Sequence, residues 1–188
     1  MQEQSLYYIA VVPPENEANQ VKSIKEELKC RYGIQHALKS PAHITLQMPF
    51  RRSSTDENLM INTLKAFAAK RLSFNVSLNG FNHFSNRVIF ISVEDHQPLI
   101  TLHNVLKNTL IASLSFTEKE TSGPFHPHVT IAHRDLTPEI FNAIWATYKA
   151  KDFTITFRID SLCLLKHNGK KWDIFKSFPF KSDIKSYF

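Results

Sequence analysis

The chain has 188 residues, 43% hydrophobic and 21% charged, enough for one substantial core or two small lobes sharing one, and too apolar for a disordered chain. Its four glycines, Gly33, Gly80, Gly123 and Gly169, all stand alone, which excludes the clustered-glycine phosphate loops of P-loop and dinucleotide-binding proteins. The net charge of +6 favours a polyanionic ligand such as RNA, a nucleotide or a phosphate ester.

Residues 6–12 are aromatic and β-branched and predict a buried strand, stopped by Pro13-Pro14. That run is too short to span a bilayer and has no basic segment before it, so neither a signal peptide nor a membrane span is expected. Ala18, Val21, Ile24 and Leu28 recur at helical spacing, with Gly33 as the stop. A second strand is expected over residues 42–47. Ser54 and Glu57 fit a capping box, with Leu59, Leu64 and Phe67 marking the helix behind it. Residues 72–78 and 88–93 read as strands, with Gly80 and Asn82 in the connection. Leu99, Leu102, Leu106 and Leu110 predict a third helix, and residues 121–127 are rich in turn formers. Extended structure resumes at residues 129–132, and Thr137-Pro138-Glu139 starts a further helix. The last two extended runs, 153–165 and 172–180, join through the hairpin dipeptide Asn168-Gly169. This irregular alternation predicts an α+β fold forming a single unit over residues 1–188. Cys30 and Cys163 are too few for a disulfide framework and read as reduced core residues of a cytoplasmic protein.

One four-residue pattern appears twice, as His43-Ile44-Thr45-Leu46 and His128-Val129-Thr130-Ile131, each after a proline-containing segment. On a strand each copy puts His and Thr on one face and two aliphatics on the other. Two such strands facing each other present two imidazoles and two hydroxyls to one small ligand. One imidazole can act as general base and the other, protonated, as general acid. The hydroxyls can donate to non-bridging phosphate oxygens, which suits cleavage of a phosphodiester or opening of a cyclic phosphate without a metal.

The paired motifs, their separation, the Pro49-Phe50 that follows the first and the chain length resemble the 2H phosphoesterase superfamily, and within it the 2′-5′ RNA ligase-like (LigT-like) proteins. The resemblance implies a bilobal fold with a pseudo-twofold repeat: two antiparallel sheets facing a central cleft, helices outside, one motif from each lobe. It implies no cofactor and no metal, and phosphoesterase chemistry on RNA ends or small cyclic nucleotides, at 2′,3′-cyclic phosphates or 2′-5′ linkages. By matching position His43 and His128 take the catalytic roles, and Thr45 and Thr130 bind phosphate. Many relatives follow the second motif closely with a basic residue, whereas here His133 precedes Arg134.

Tyr8, Phe50 and Phe125 lie near the motif strands in sequence and are candidate substrate contacts with Arg134, aromatics being able to stack on bases. His126 reads as a turn or rim residue, and His36, His83, His96, His103 and His167 as surface residues. Two competing readings use the same residues: a non-catalytic RNA or nucleotide binder, and a metallohydrolase built on His126 and His128. No membrane or obligate protein partner is indicated.

Overall fold

Breakers and burial together set the first elements of the computed structural model, which describes residues 4–181. Strand β1 (Gln4–Val11) ends at the proline pair, which cannot continue a ladder. Helix α1 (Glu15–Tyr32) buries Val21, Ile24 and Leu28 and stops at Gly33, whose φ of 73° is a left-handed cap that disfavours any side chain. A 3₁₀ turn, His36–Lys39, leads into β2 (Ile44–Ser53). That strand runs on through Pro49, past the end expected at residue 47, because it lies at a sheet edge and needs no donor there.

The expected Ser54/Glu57 capping box does not form. Residues 54–56 make a 3₁₀ turn in which Ser53 accepts from the Thr55 amide, and α2 (Glu57–Ala68) follows. The Glu57 carboxylate instead accepts from the Tyr7 hydroxyl and the Lys166 ammonium. Leu59 is exposed, and Met60, Leu64 and Phe67 face the core. Strand β3 (Phe74–Phe84) passes through Gly80 and Asn82, which were expected in a connection. Gly80, at φ 64°, sits in the irregular register between Leu78 and Phe81, and the turn to β4 (Val88–Val93) comes later.

Helix α3 (Gln97–Leu114) buries all four predicted leucines. A short helix, α4 (Glu118–Thr121), has the capping box that α2 lacks, between Thr117 and Glu120. It precedes β5 (His128–His133) and α5 (Pro138–Tyr148), the latter capped by Thr137 as predicted. The run 153–165, expected as one extended segment, divides at Asp160 into β6 (Thr154–Ile159) and β7 (Ser161–His167), which enter different sheets. Strand β8 (Trp172–Pro179) closes the Asn168-Gly169 hairpin, where the Asn168 side chain accepts from the amides of Lys170 and Lys171.

Both sheets are antiparallel and four-stranded, in the orders β2-β1-β7-β8 and β5-β4-β3-β6. A His-x-Thr-x segment therefore begins the edge strand of each. The units β1-α1-β2 and β4-α3-β5 repeat one another, and their helices pack crosswise, α1 against β5 and α3 against β2. One large apolar cluster joins the inner faces of both sheets to the helices. The other face of the first sheet carries Tyr8, Ala10, Cys163 and Leu165, with Val12 and Trp172 against them. Cys30 is exposed on α1, so only Cys163 is the buried thiol the sequence predicted for both.

Candidate active site

Strands β2 and β5 approach each other along the edges of their sheets. His43 sits one residue ahead of β2 and His128 is the first residue of β5. Ile44, Leu46, Val129 and Ile131 are all essentially buried, while His43, Thr45, His128 and Thr130 are half-buried. The alternation thus works as the pattern requires, with aliphatics inward and the polar pair outward. Thr45 lies opposite Ala10, and Thr130 lies opposite Phe90.

The two imidazoles are held by the same device. His43 Nδ1 lies 2.8 Å from the Pro41 carbonyl, and His128 Nδ1 lies 2.7 Å from the His126 carbonyl, two residues upstream in each case. A carbonyl can only accept, so Nδ1 carries the proton and Nε2 keeps the lone pair in the neutral ring. A proline in each tether, Pro41 and Pro127, limits how the turn can bend. Among the described residues, no protein group hydrogen-bonds either Nε2 or the hydroxyl of Thr45 or Thr130.

The environments of the two rings differ. Burial pushes the pKa of His43 down to about 4, with the charges of Lys25, His128 and His133 acting in the same direction and the Pro41 hydrogen bond opposing them. His128 is lowered more modestly, again by burial, with the charge of His126 adding to it. That His128 and His133 act on His43 places three imidazoles from both sheets within one electrostatic neighbourhood.

His133 belongs to this neighbourhood because of an irregularity that sequence alternation cannot show. The β4–β5 register slips between the Ile89–Ala132 and Phe90–Thr130 pairs, so β5 has one extra residue there. His133 then lies opposite Val88, on the same face as Thr130 and His128, and not on the core face. Burial lowers its pKa to about 4, helped by the charges of His36, Arg134 and Lys25 and opposed by Asp135. Its ring meets His36 edge-on at 4.9 Å.

Three clamps fix the segment that delivers His43. From β5's end, Asp135 Oδ2 accepts the amides of Gln35 and His36 at 2.7 Å each. From α1, the buried Lys25 ammonium donates to the carbonyls of Ala37 and Ser40, each at 3.1 Å. From β1, the Tyr8 hydroxyl meets Ser40 Oγ at 2.6 Å, and its ring packs 4.9 Å from His43. Sequence reasoning missed Lys25 and Asp135. A lysine at the spacing of Val21 and Leu28 was the available signal for the first, since it falls on the buried face of α1.

Of the other predicted contacts, Tyr8 is at the site, buried against His43 and Trp172. Phe50 is not: it is buried in the main core against Tyr7 and Phe116. The ring of Phe125 stacks flat on His103 at 4.1 Å, so one of its faces is covered. His103 is more than a surface residue, since its Nδ1 reaches the Leu46 carbonyl of β2 at 2.8 Å. Arg134 is exposed, with left-handed backbone (φ 67°), beside the His36–His133 pair. His126 is an exposed residue whose carbonyl tethers His128.

Two four-stranded antiparallel sheets packed with helices are the architecture of the 2H, LigT-like phosphoesterases. The chain matches the 2′-5′ RNA ligase superfamily over residues 13–171 and belongs to it. It is 24% identical over 165 residues to a Bacillus pumilus (strain SAFR-032) protein named as a phosphoesterase, covering 86% of this chain and 91% of the relative. A protein of the same description from Geobacillus sp. (strain WCH70) is 25% identical over 176 residues, covering 92% and 94%. Among solved structures, TT0787 of Thermus thermophilus superimposes with a TM-score of 0.69 at 18% identity, and E. coli LigT complexed with 3′-AMP with 0.68 at 16%. Each comparison covers 95% of this chain and 99% of the other. These likenesses agree with the bilobal α+β fold and with a phosphoesterase-type enzyme family.

Proposed function

We propose that the protein is a metal-independent phosphoesterase acting on RNA-type phosphoesters, a 2′,3′-cyclic phosphate or a 2′-5′ linkage, with His43 and His128 as base and acid. The observation that carries this reading is the doubled tether: two imidazoles, on edge strands of two sheets, each with Nδ1 bound to its own upstream carbonyl and with Nε2 open among the described residues. A pure binder needs no matched pair of proton carriers. That LigT has been solved with 3′-AMP, and in other structures with NADP+ and ATP, supports a nucleotide-type ligand for this chain too.

The unequal surroundings of the two rings suggest the division of labour. His43, held neutral well below pH 7, takes a proton from the attacking water as the new oxygen–phosphorus bond forms. As the phosphorus–oxygen bond to the ribose breaks, His128 gives its proton to the departing oxygen. When the reaction runs backwards, a ribose hydroxyl gives its proton to His128 as it attacks the phosphorus and His43 protonates the oxygen that departs as water, so the two roles exchange. Thr45 and Thr130 donate to the non-bridging oxygens, where charge gathers. The test is a turnover screen of 2′,3′-cyclic nucleotides and 2′-5′-linked dinucleotides with EDTA present. Turnover that His43→Ala and His128→Ala abolish supports the reading. Turnover seen only when zinc is added would put a metallohydrolase in its place, and none under any condition would leave a binder.

A further inference from the structure

Beside the candidate site a groove of about 490 Å³ runs between α1 and the β7–β8 hairpin. Its floor includes residues 38–42, the segment that ends one residue before His43. One wall carries Lys22 of α1, the floor carries Lys39, and the far wall carries Lys171 and Trp172. Trp172 meets Tyr8 edge-on at 4.6 Å, and Tyr8 in turn packs 4.9 Å from His43, so the aromatic wall is continuous with the catalytic end. Among the described residues, Asp173 is the only carboxylate lining the groove.

The lysines are available to a ligand. Lys22 pairs with Glu26 at 3.6 Å and Lys171 with Asp173 at 3.2 Å, and in each pair the side chains are about half exposed or more. Ion pairs so open to water hold their partners weakly and can be exchanged for a phosphate. Lys39 is exposed and has no carboxylate within ion-pairing distance among the described residues. Trp172 is half-buried, so part of its indole is open to the groove. A positively charged channel with an aromatic wall is the combination that holds single-stranded nucleic acid, with phosphates on the cations and a base on the ring. A mononucleotide occupying the space between His43 and His128 would leave all of this unused.

We infer that the groove is a subsite for the single strand attached to the reacting phosphate, so that the protein acts on the end of an oligoribonucleotide in preference to a mononucleotide. This rests on the proposed function for the identity of the reacting group, but the subsite itself can be measured without turnover. The probe is a 5′-labelled ribohexanucleotide bearing a 3′-phosphate, compared by anisotropy and competition with a nucleoside 3′-monophosphate. The expected result is that the hexamer binds at least about tenfold more tightly, with each groove lysine contributing about 1 to the slope of log Kd against log salt. The Lys22→Glu/Lys39→Glu/Lys171→Glu variant, altered only at exposed positions, removes that advantage and leaves the monophosphate affinity unchanged. In a Trp145→Phe background Trp172 is the remaining tryptophan, and the hexamer, not the monophosphate, quenches its emission. Equal affinity for hexamer and monophosphate, or a triple variant that binds the hexamer like the parent, overturns the subsite. If the binding pattern holds but no substrate is turned over, the subsite stands and the phosphoesterase reading falls.

Discussion

Replacing Lys25 by methionine separates what a buried cation contributes from what it costs. Lys25 is 3% exposed, its ammonium donates to the Ala37 and Ser40 carbonyls, and burial lowers its pKa from 10.5 to about 8. Methionine retains an apolar stem of similar length but removes the charge and both donors. Leaving two carbonyls unpartnered costs roughly 1–3 kcal/mol each where they are fully buried, which the relief of removing a desolvated charge offsets in part. The pH dependence isolates the charge itself. Below pH 8 Lys25 is charged in the folded and the unfolded chain alike. Between about 8 and 10.5 the unfolded chain holds the proton that the folded chain has lost, so wild-type stability rises with pH through that window. At pH 9.5 the gain amounts to about 2 kcal/mol, taking about 1.36 kcal/mol per pKa unit. The assay is urea unfolding of both proteins at pH 7 and pH 9.5. The wild-type-minus-variant difference is expected to move by about 2 kcal/mol in favour of wild type at the higher pH. A difference that stays constant refutes the buried ammonium. The same variant should raise the pKa of His43, read by NMR titration of its imidazole, because the Lys25 charge is one of the influences holding it down.

His43→Ala and His128→Ala should each cut kcat by about 10²–10⁴-fold, and the double variant by less than the product, since both groups act in one step. Thr45→Ala and Thr130→Ala should cost up to about 10²-fold, checked by steady-state kinetics that separate kcat from KM. The profile of kcat/KM against pH should be bell-shaped and centred on the acid side of neutrality. His43 must lose its proton, above about 4, while His128, itself lowered from 6.5, must keep one. An optimum above pH 8 would contradict that assignment.

The polar device was legible because it is local: two four-residue patterns fix which side chains share a strand face, whatever the sheets do around them. The buried leucines of α3, the Gly33 cap and the Asn168-Gly169 hairpin were legible for the same reason. Other features were not, and three of them depend on partners distant in sequence. The division of 153–165 at Asp160 follows from the different partners of its two halves, β3 for β6 and β1 with β8 for β7, and no property of that run shows this. The fate of Glu57 was set by Tyr7 and Lys166, which compete with the expected cap for its carboxylate. His133 reached the site through one extra residue in β5, and alternation carried past a bulge gives the wrong face. Phe50 failed as a contact for a related reason: proximity in sequence to a motif does not say which side of the sheet a ring takes.

A repeat that supplies the same imidazole twice would, by itself, supply two groups with the same affinity for protons, and a base and an acid have to differ. The carbonyl tethers are alike to within 0.1 Å, and the Ser40 hydroxyl that also lies near His43 Nδ1 is 3.4 Å away, too long a contact to create the difference. The surroundings do. His43 is enclosed by Tyr8 and by a segment that Lys25 and Asp135 hold in place, whereas His128 packs against Phe84 and Phe90, with an exposed His126 beside it. The charges that act on His43 come from a lysine and two imidazoles, all of which disfavour a second positive charge there. In the proposed reaction an incoming phosphate anion would favour protonation of both rings, and the one less opposed by its surroundings, His128, would take the proton first. The asymmetry thus follows from elements outside the repeated motif, chiefly α1 and the 3₁₀ turn behind His43, and these are the parts to alter if the two roles are to be exchanged.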